Sequence, residues 1–337
     1  MRLFANANYD FIGQRRIGYL ISLAVIVPGF LLLLLRGVNY SVEFTGGTLL
    51  QVESKTPVDV GRVRSALGQA GIQGAELQTF GSDRELVIRA RVARQGSDAN
   101  DTQATAGAVQ TALNQAIGEG QYQVVRTEAV GPKVGSELRQ KAIIAILLSF
   151  GVVLIYLAIR FEWRFGVAAV IATAHDVVAS LAFIGITRLE VSLFVVAALL
   201  TIVGYSLNDT IVIFDRIREN LHRSKRDQFI AVINRSINET LPRTFFTGST
   251  ALGSLVALAA LGGEVVRPFA LLMLFGVFVG TFSSLYIASP ALLAIERKWP
   301  GQDVRGVRSP GQAAARKPAS RPASTPPAAR QGTRPVR

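Results

Sequence analysis

Residues 191–214 read VSLFVVAALLTIVGYSLNDTIVIF, and the fold turns on where such a stretch can reside. It lacks the period-2 alternation of a membrane β-strand and exceeds the roughly 20 helical residues that cross a hydrocarbon core. Five other runs have the same character: Ile17–Leu35, Ala142–Ile159, Phe165–Thr187, Leu241–Leu261 and Phe269–Ala294. Over the 337 residues 50% are hydrophobic, only 18% are charged, and the mean hydropathy is +0.35. A soluble globule of this size cannot hide that much apolar surface, so the sequence predicts an α-helical membrane protein with six transmembrane helices. The run at 17–35 follows Arg15-Arg16, but Arg36-Gly37-Val38-Asn39 after it offers no small-x-small cleavage site, so it reads as an anchor and not as a signal peptide.

Charge orients these spans. Arg2, Arg15 and Arg16 precede the first, and Arg160 and Arg164 separate the second from the third. Six Lys/Arg between Arg216 and Arg235 separate the fourth from the fifth, and Arg297-Lys298 follow the sixth. The alternate connections carry only Arg188 and Arg267. By the positive-inside rule both termini are expected in the cytoplasm, the first as residues 1–16, with a cytoplasmic loop at 215–240. Residues 37–139 are expected outside. That segment is nearly neutral, with 10 basic and 11 acidic residues. Strands are expected at Val42–Val52, Leu77–Phe80, Leu86–Ala90 and Tyr122–Thr127, and helices at Val58–Ala70 and Asp101–Ile117. The order β-α-β-β-α-β is that of a ferredoxin-like α+β unit. Residues 300–337 hold 7 of the 13 prolines and eight Lys/Arg against Asp303 alone. They are expected to be a disordered basic tail, either a solvated topology determinant or a segment that adheres to anionic lipid or ribosomal RNA.

Chemistry is expected where ionisable groups enter the apolar runs. A charged group at bilayer depth costs about 2.5–3.5 kcal/mol on insertion scales, so it tends to face protein or water. Asp209 lies in Tyr205-Ser206-Leu207-Asn208-Asp209-Thr210 and is either a proton carrier or part of a polar helix clamp. Arg243, in Glu239-Thr240-Leu241-Pro242-Arg243-Thr244, is expected near the start of the fifth span, with Thr240 as cap and Pro242 in the first turn. There it either approaches Asp209 or snorkels to lipid phosphate. His175-Asp176 sits mid-span and is either a relay or a satisfied polar pair on diverging helical faces. Gly46-Gly47 and Gly131-Pro132 flank the outer segment as hinges or as tight turns. Gly276-x3-Gly280-x3-Ser284 and Ser249-x3-Gly253 are small-residue patterns that let helix backbones meet. The absence of cysteine excludes disulfides and thiolate metal sites, and two histidines speak against a multi-histidine centre. No cofactor is expected.

Several ordered motifs resemble the SecF branch of the SecD/SecF family of bacterial protein-export subunits. They are Val42-Glu43-Phe44-Thr45-Gly46-Gly47-Thr48, Val130-Gly131-Pro132-Lys133-Val134-Gly135, His175-Asp176, Tyr205 through Asn220, Asn234 through Thr244, and Ser283 through Pro290. Glu43 stands where Asp is usual and Pro242 where Ser is common. The resemblance implies half of an RND-like bundle of six helices in the inner membrane, with the extracytoplasmic domain between helices one and two. It implies pairing with a SecD-like subunit, association with the SecYEG channel, and use of the proton gradient, in place of any cofactor, to draw an emerging polypeptide outward. It places proton transport on Asp209 and Arg243, with Asn208 shaping the site and His175 and Asp176 as relay groups. Three rivals remain: a stand-alone RND-like antiporter, an intramembrane aspartyl hydrolase built on Asp176 and Asp209, and a scaffold without proton chemistry.

Overall fold

A computed structural model describes residues 7–300 apart from 73, 81, 91–98 and 224–226. The basic tail from 301 onward therefore lies outside the described residues, as do Lys225 and Arg226. Among the described residues six helical segments are long and apolar enough to cross a membrane, and a small four-stranded sheet lies between the first and the rest.

Span one is α1 (Arg15–Arg36). Arg188, itself in the left-handed region at φ +57°, donates to the carbonyls of Arg36 and Gly37 where α1 runs out of partners. A single helical turn, α2 (Val42–Thr45), follows, then β1 (Gly47–Ser54). The continuous strand expected over 42–52 is thus broken. Gly46 (φ +72°) and Gly47 (φ +132°) adopt angles that residues with a Cβ rarely reach, which turns the chain sharply into the sheet.

The domain continues through α3 (Val60–Gln69), β2 (Glu76–Phe80), β3 (Ser82–Ala90), α4 (Ala99–Ala116) and β4 (Tyr122–Val130). Asp59 caps α3 by accepting from the amides of Gly61 and Arg62. The sheet order is β2-β3-β1-β4, every pair antiparallel, which is the ferredoxin-like arrangement. One face is covered by α3 and α4 over a core of Leu50, Val52, Val63, Leu67, Leu86, Ile88 and Leu113. On the other face a smaller cluster joins Leu49 and Val87 to Val42 of α2.

The remaining spans are α5 (Pro132–Arg160), α6 (Trp163–Thr187), α7 (Leu193–Arg223), α8 (Phe229–Leu261) and a sixth made of α9 (Gly263–Ser283), a π-helical turn (Ser284–Ala288) and α10 (Ser289–Lys298). Helices α6, α7 and α9 form the centre. Close backbone approach defines two of the contacts. A Cβ on Gly29 of α1 would fall 2.4 Å from the Ala182 carbonyl oxygen of α6, and one on Gly280 of α9 would fall 2.9 Å from the Ser206 Cβ of α7. Gly253, in the other small-residue pattern, faces open space.

Residues 215–240, expected as a loop, are mostly helix. Apolar residues at Ile213, Ile217 and Leu221 and at Phe229, Val232, Ile233 and Ile237 continue two buried stripes past the ends of the apolar runs. Ion pairs stitch the outer faces: Arg160–Asp215 at 2.7 Å, Arg216–Glu239 at 2.6 Å and Arg216–Glu219 at 2.5 Å. Asn234 and Asn238, one turn apart on α8, hold residues 9–12: Asn238 Oδ1 accepts from the Tyr9 amide at 2.9 Å and Asn234 Oδ1 from the Ile12 amide at 3.1 Å.

Candidate functional site

The polar residues of the bundle centre come from four helices. Asp176 of α6 is fully buried. Its Oδ2 accepts from Ser206 of α7 and from Ser283 of α9 at 2.8 Å, and its Oδ1 lies 2.9 Å from His175 Nδ1. With the carboxylate ionised, Nδ1–H donates to it and Nε2 is left to accept from the Ser22 hydroxyl of α1. The result is a continuous chain Ser22–His175–Asp176–Ser206/Ser283 that links α1, α6, α7 and α9. His175 and Asp176 were expected to diverge because neighbours on a helix point about 100° apart. They meet instead, because the imidazole is long enough to fold back onto the carboxylate.

Asp209 lies almost one turn beyond Ser206 on the same face of α7 and is 6% exposed. Its Oδ2 accepts from Thr281 Oγ1 of α9 at 3.3 Å, and next to it Thr210 shares a 2.9 Å hydrogen bond with Ser284. Three hydroxyls on α9 and its π turn therefore face three polar groups of neighbouring helices: Thr281 to Asp209, Ser283 to Asp176, Ser284 to Thr210. The π turn has local causes. Pro290 has no amide hydrogen to give to the preceding turn, and the Ser289 hydroxyl bonds the Ser284 carbonyl five residues back at 3.0 Å.

Arg243 sits inside α8 and not at a helix start. Thr240 does not cap; its hydroxyl bonds back to the carbonyls of Ser236 and Ile237, each at 3.0 Å, and Pro242 is interior to the helix. A cation at a helix start would oppose the positive end of the helix dipole; inside α8 no such conflict arises. Arg243 is exposed and makes no ion pair among the described residues; one turn on, the Thr247 carbonyl of α8 accepts from the hydroxyl of Tyr205, which lies one turn before Asp209 on α7. The next residue, Thr244, is 2% exposed and its hydroxyl has no partner among the described residues. Asn208 faces outward from α7 and is exposed. Asp176 and Asp209 share no hydrogen bond among the described residues and take their donors from different hydroxyls, unlike a carboxylate dyad that holds one proton between two groups.

The serines were the part hardest to see in advance. Ser22, Ser206, Ser283 and Thr281 are ordinary residues in apolar helices, where a hydroxyl commonly bonds its own backbone one turn back. Ser206 and Ser283 stand in the family motifs, but only the position of the carboxylates across the bundle shows what these hydroxyls bind.

Two family profiles match this architecture. One, described as protein export membrane protein SecD/SecF, C-terminal, covers residues 109–298, and the SecD/SecF GG motif covers residues 31–58. The chain belongs to the SecD/SecF family of protein export membrane proteins. Among SecD/SecF relatives, the protein translocase subunit SecF of Gemmatimonas aurantiaca is 52% identical over 93% of this chain and 96% of its own length. The SecF subunit of Magnetococcus marinus is 43% identical over 88% of this chain and 95% of its own. These relatives are transport subunits and not enzymes. The crystal structure of SecDF from Thermus thermophilus, a translocon-associated membrane protein, superposes with a TM-score of 0.76 at 36% identity. It covers 88% of this chain, which spans 40% of the SecDF chain.

Proposed function

We propose that this chain is a SecF subunit that couples proton entry to a late stage of protein export. A SecD-like subunit would complete the other half of the bundle, and SecYEG would supply the channel from which the polypeptide emerges. The observation that carries this reading is Asp209: a buried carboxylate on a central span, held by one 3.3 Å hydroxyl contact, with Arg243, which has no ion pair among the described residues, on the adjoining α8. Such a group has a weak hold on its present geometry and two alternative ways to satisfy its charge, a proton or the guanidinium.

In this mechanism Asp209 takes up a proton from one side when α8 and its Arg243 are distant and releases it when Arg243 approaches. Thr244, beside Arg243 on the approaching helix, has a buried hydroxyl with no partner among the described residues. His175 and Asp176 carry or steady the proton chain deeper in the bundle. Asn208, facing outward, shapes the site from the side where a second subunit would pack. The Lys/Arg distribution supports cytoplasmic termini, and the even number of candidate spans among the described residues supports their lying on one side. The basic tail would meet anionic lipid or the ribosome, with no other nucleic-acid contact.

The test is export in proteoliposomes holding the full complex, with and without an imposed proton gradient. Asp209→Asn, which keeps size and one acceptor oxygen, is expected to abolish gradient-dependent export and leave gradient-independent export intact. Unchanged export by this variant would leave only an anchoring role.

A further inference from the structure

The stem that joins α1 to the sheet is bonded to the start of the span that carries Asp209. The Val191 amide donates to the Asn39 carbonyl at 2.7 Å, and the Ser41 amide donates to the Val191 carbonyl at 3.0 Å, so a short parallel bridge forms around Tyr40. Two residues on, Glu43 lies in the single turn of α2, and its Oε2 accepts from the amide of Leu193 at 2.6 Å. Leu193 is the first residue of α7. The first amides of any helix have no partner within it, and a carboxylate placed there meets both the bare N–H and the positive end of the helix dipole. Ser192 supplies the usual local cap, accepting from the Val195 amide at 3.4 Å, so Glu43 serves an amide that the helix's own flanking residue does not reach.

The other side of this turn is closed as well. Gly135, in the first turn of α5, packs so tightly that a Cβ there would lie 2.9 Å from the Gly46 amide nitrogen and 3.2 Å from the Glu43 carbonyl oxygen. The turn is therefore wedged between the starts of spans two and four. Directly beyond it, Gly46 and Gly47 pass into β1, a central strand of the sheet. Asp209 lies 16 residues past Leu193, about 24 Å along the same rigid helix.

We propose that Glu43 is the coupling residue between proton site and outer domain: it latches the start of α7 to the stem, so that displacement of α7 is carried through α2 and Gly46-Gly47 into the sheet. This rests on the reading of Asp209 as the proton carrier. Glu43 acts on transport through position alone, since it touches neither the proton nor the exported chain.

The experiment measures proton uptake and export in the same proteoliposomes for Glu43→Ala and Glu43→Gln in the full complex, with Asp209→Asn in parallel. In Glu43→Ala export is expected to slow about fivefold, because the latched population falls by about the equilibrium factor of a lost helix cap, while proton uptake per molecule stays at the wild-type level. Glu43→Gln keeps an acceptor oxygen before the Leu193 amide and is expected to recover most of the export. Normal export in Glu43→Ala, or a parallel fall of uptake and export, overturns the proposal, the second because it marks general structural support. Should Glu43→Ala not accumulate, Glu43→Met keeps the length of the side chain without an acceptor and is judged by the same outcomes. A silent Asp209→Asn is a separate result: it refutes the proton-carrier reading itself, whatever the Glu43 variants do.

Discussion

At the scale of single residues, the connection between α6 and α7 holds a carboxylate whose environment can be titrated. Glu190 pairs with Arg89 of β3, and this pair ties the sheet to the membrane part. Burial pushes the Glu190 carboxyl above its ordinary range, and the Arg89 guanidinium opposes but does not cancel the effect. A raised folded-state pKa means that Glu190 favours the folded protein most below the ordinary glutamate range. That contribution is lost as pH rises through the folded value. Glu190→Gln should therefore flatten part of the fall in stability on the alkaline side of that range, read as thermal midpoint against pH in detergent. Asp209 and Asp176 could be singled out from sequence because burial of a carboxylate among Val, Leu and Ile is expensive. Their hydroxyl partners could not be assigned to them, because a serine or threonine hydroxyl in an apolar helix carries no such signal.

At the scale of elements, the contact between α7 and α9 aligns the hydroxyls of one helix with the carboxylates of its neighbours. Gly280 makes it possible, since any side chain there meets Ser206. Gly280→Val is expected to lower stability by about 1–3 kcal/mol through overpacking and to separate Ser283 from Asp176. The check is a lower unfolding midpoint together with loss of gradient-dependent export. Gly276 and Gly280 were legible as a small-residue pattern, and the structure uses both against α7, at Ile202 and Ser206. The equally plain Ser249-x3-Gly253 is not used this way, because spacing alone does not say whether a neighbour arrives. Helix ends were misjudged for a related reason. The boundaries at Phe214 and Leu241 follow the hydrocarbon-length runs, whereas the helices continue as amphipathic rods whose stripe packs on the core and whose charges pair outside.

At the scale of the whole molecule, three contacts among the described residues join the sheet domain to the membrane part. These are the stem at 39–43, the Arg89–Glu190 pair, and the packing of Gly135 against Gly46. If rearrangement in the bundle moves the domain, fixing it in place should stop export. The chain has no cysteine, so Arg89→Cys with Glu190→Cys introduces the only two thiols. A short thiol-cleavable bismaleimide between them is expected to suppress export severalfold, as loss of a required hinge motion does, with recovery on cleavage. Unimpaired export across an intact cross-link would show that the domain need not move.

The sequence alone determined that this chain lives in lipid, how many times it crosses, and that a ferredoxin-like unit interrupts the spans. Those follow from local quantities: run length, periodicity, and the expense of charge in hydrocarbon. It also marked Asp209, Arg243 and Asp176, for the same local reason. Only tertiary structure decided that Asp176 binds His175 and two serines, that Arg243 has no ion pair among the described residues, and that Glu43 reaches the amide of Leu193. Each of these is a meeting of residues far apart in the chain, and their hydrogen bonds depend on helix rotation and depth to within an ångström, which no pattern along one strand of sequence encodes.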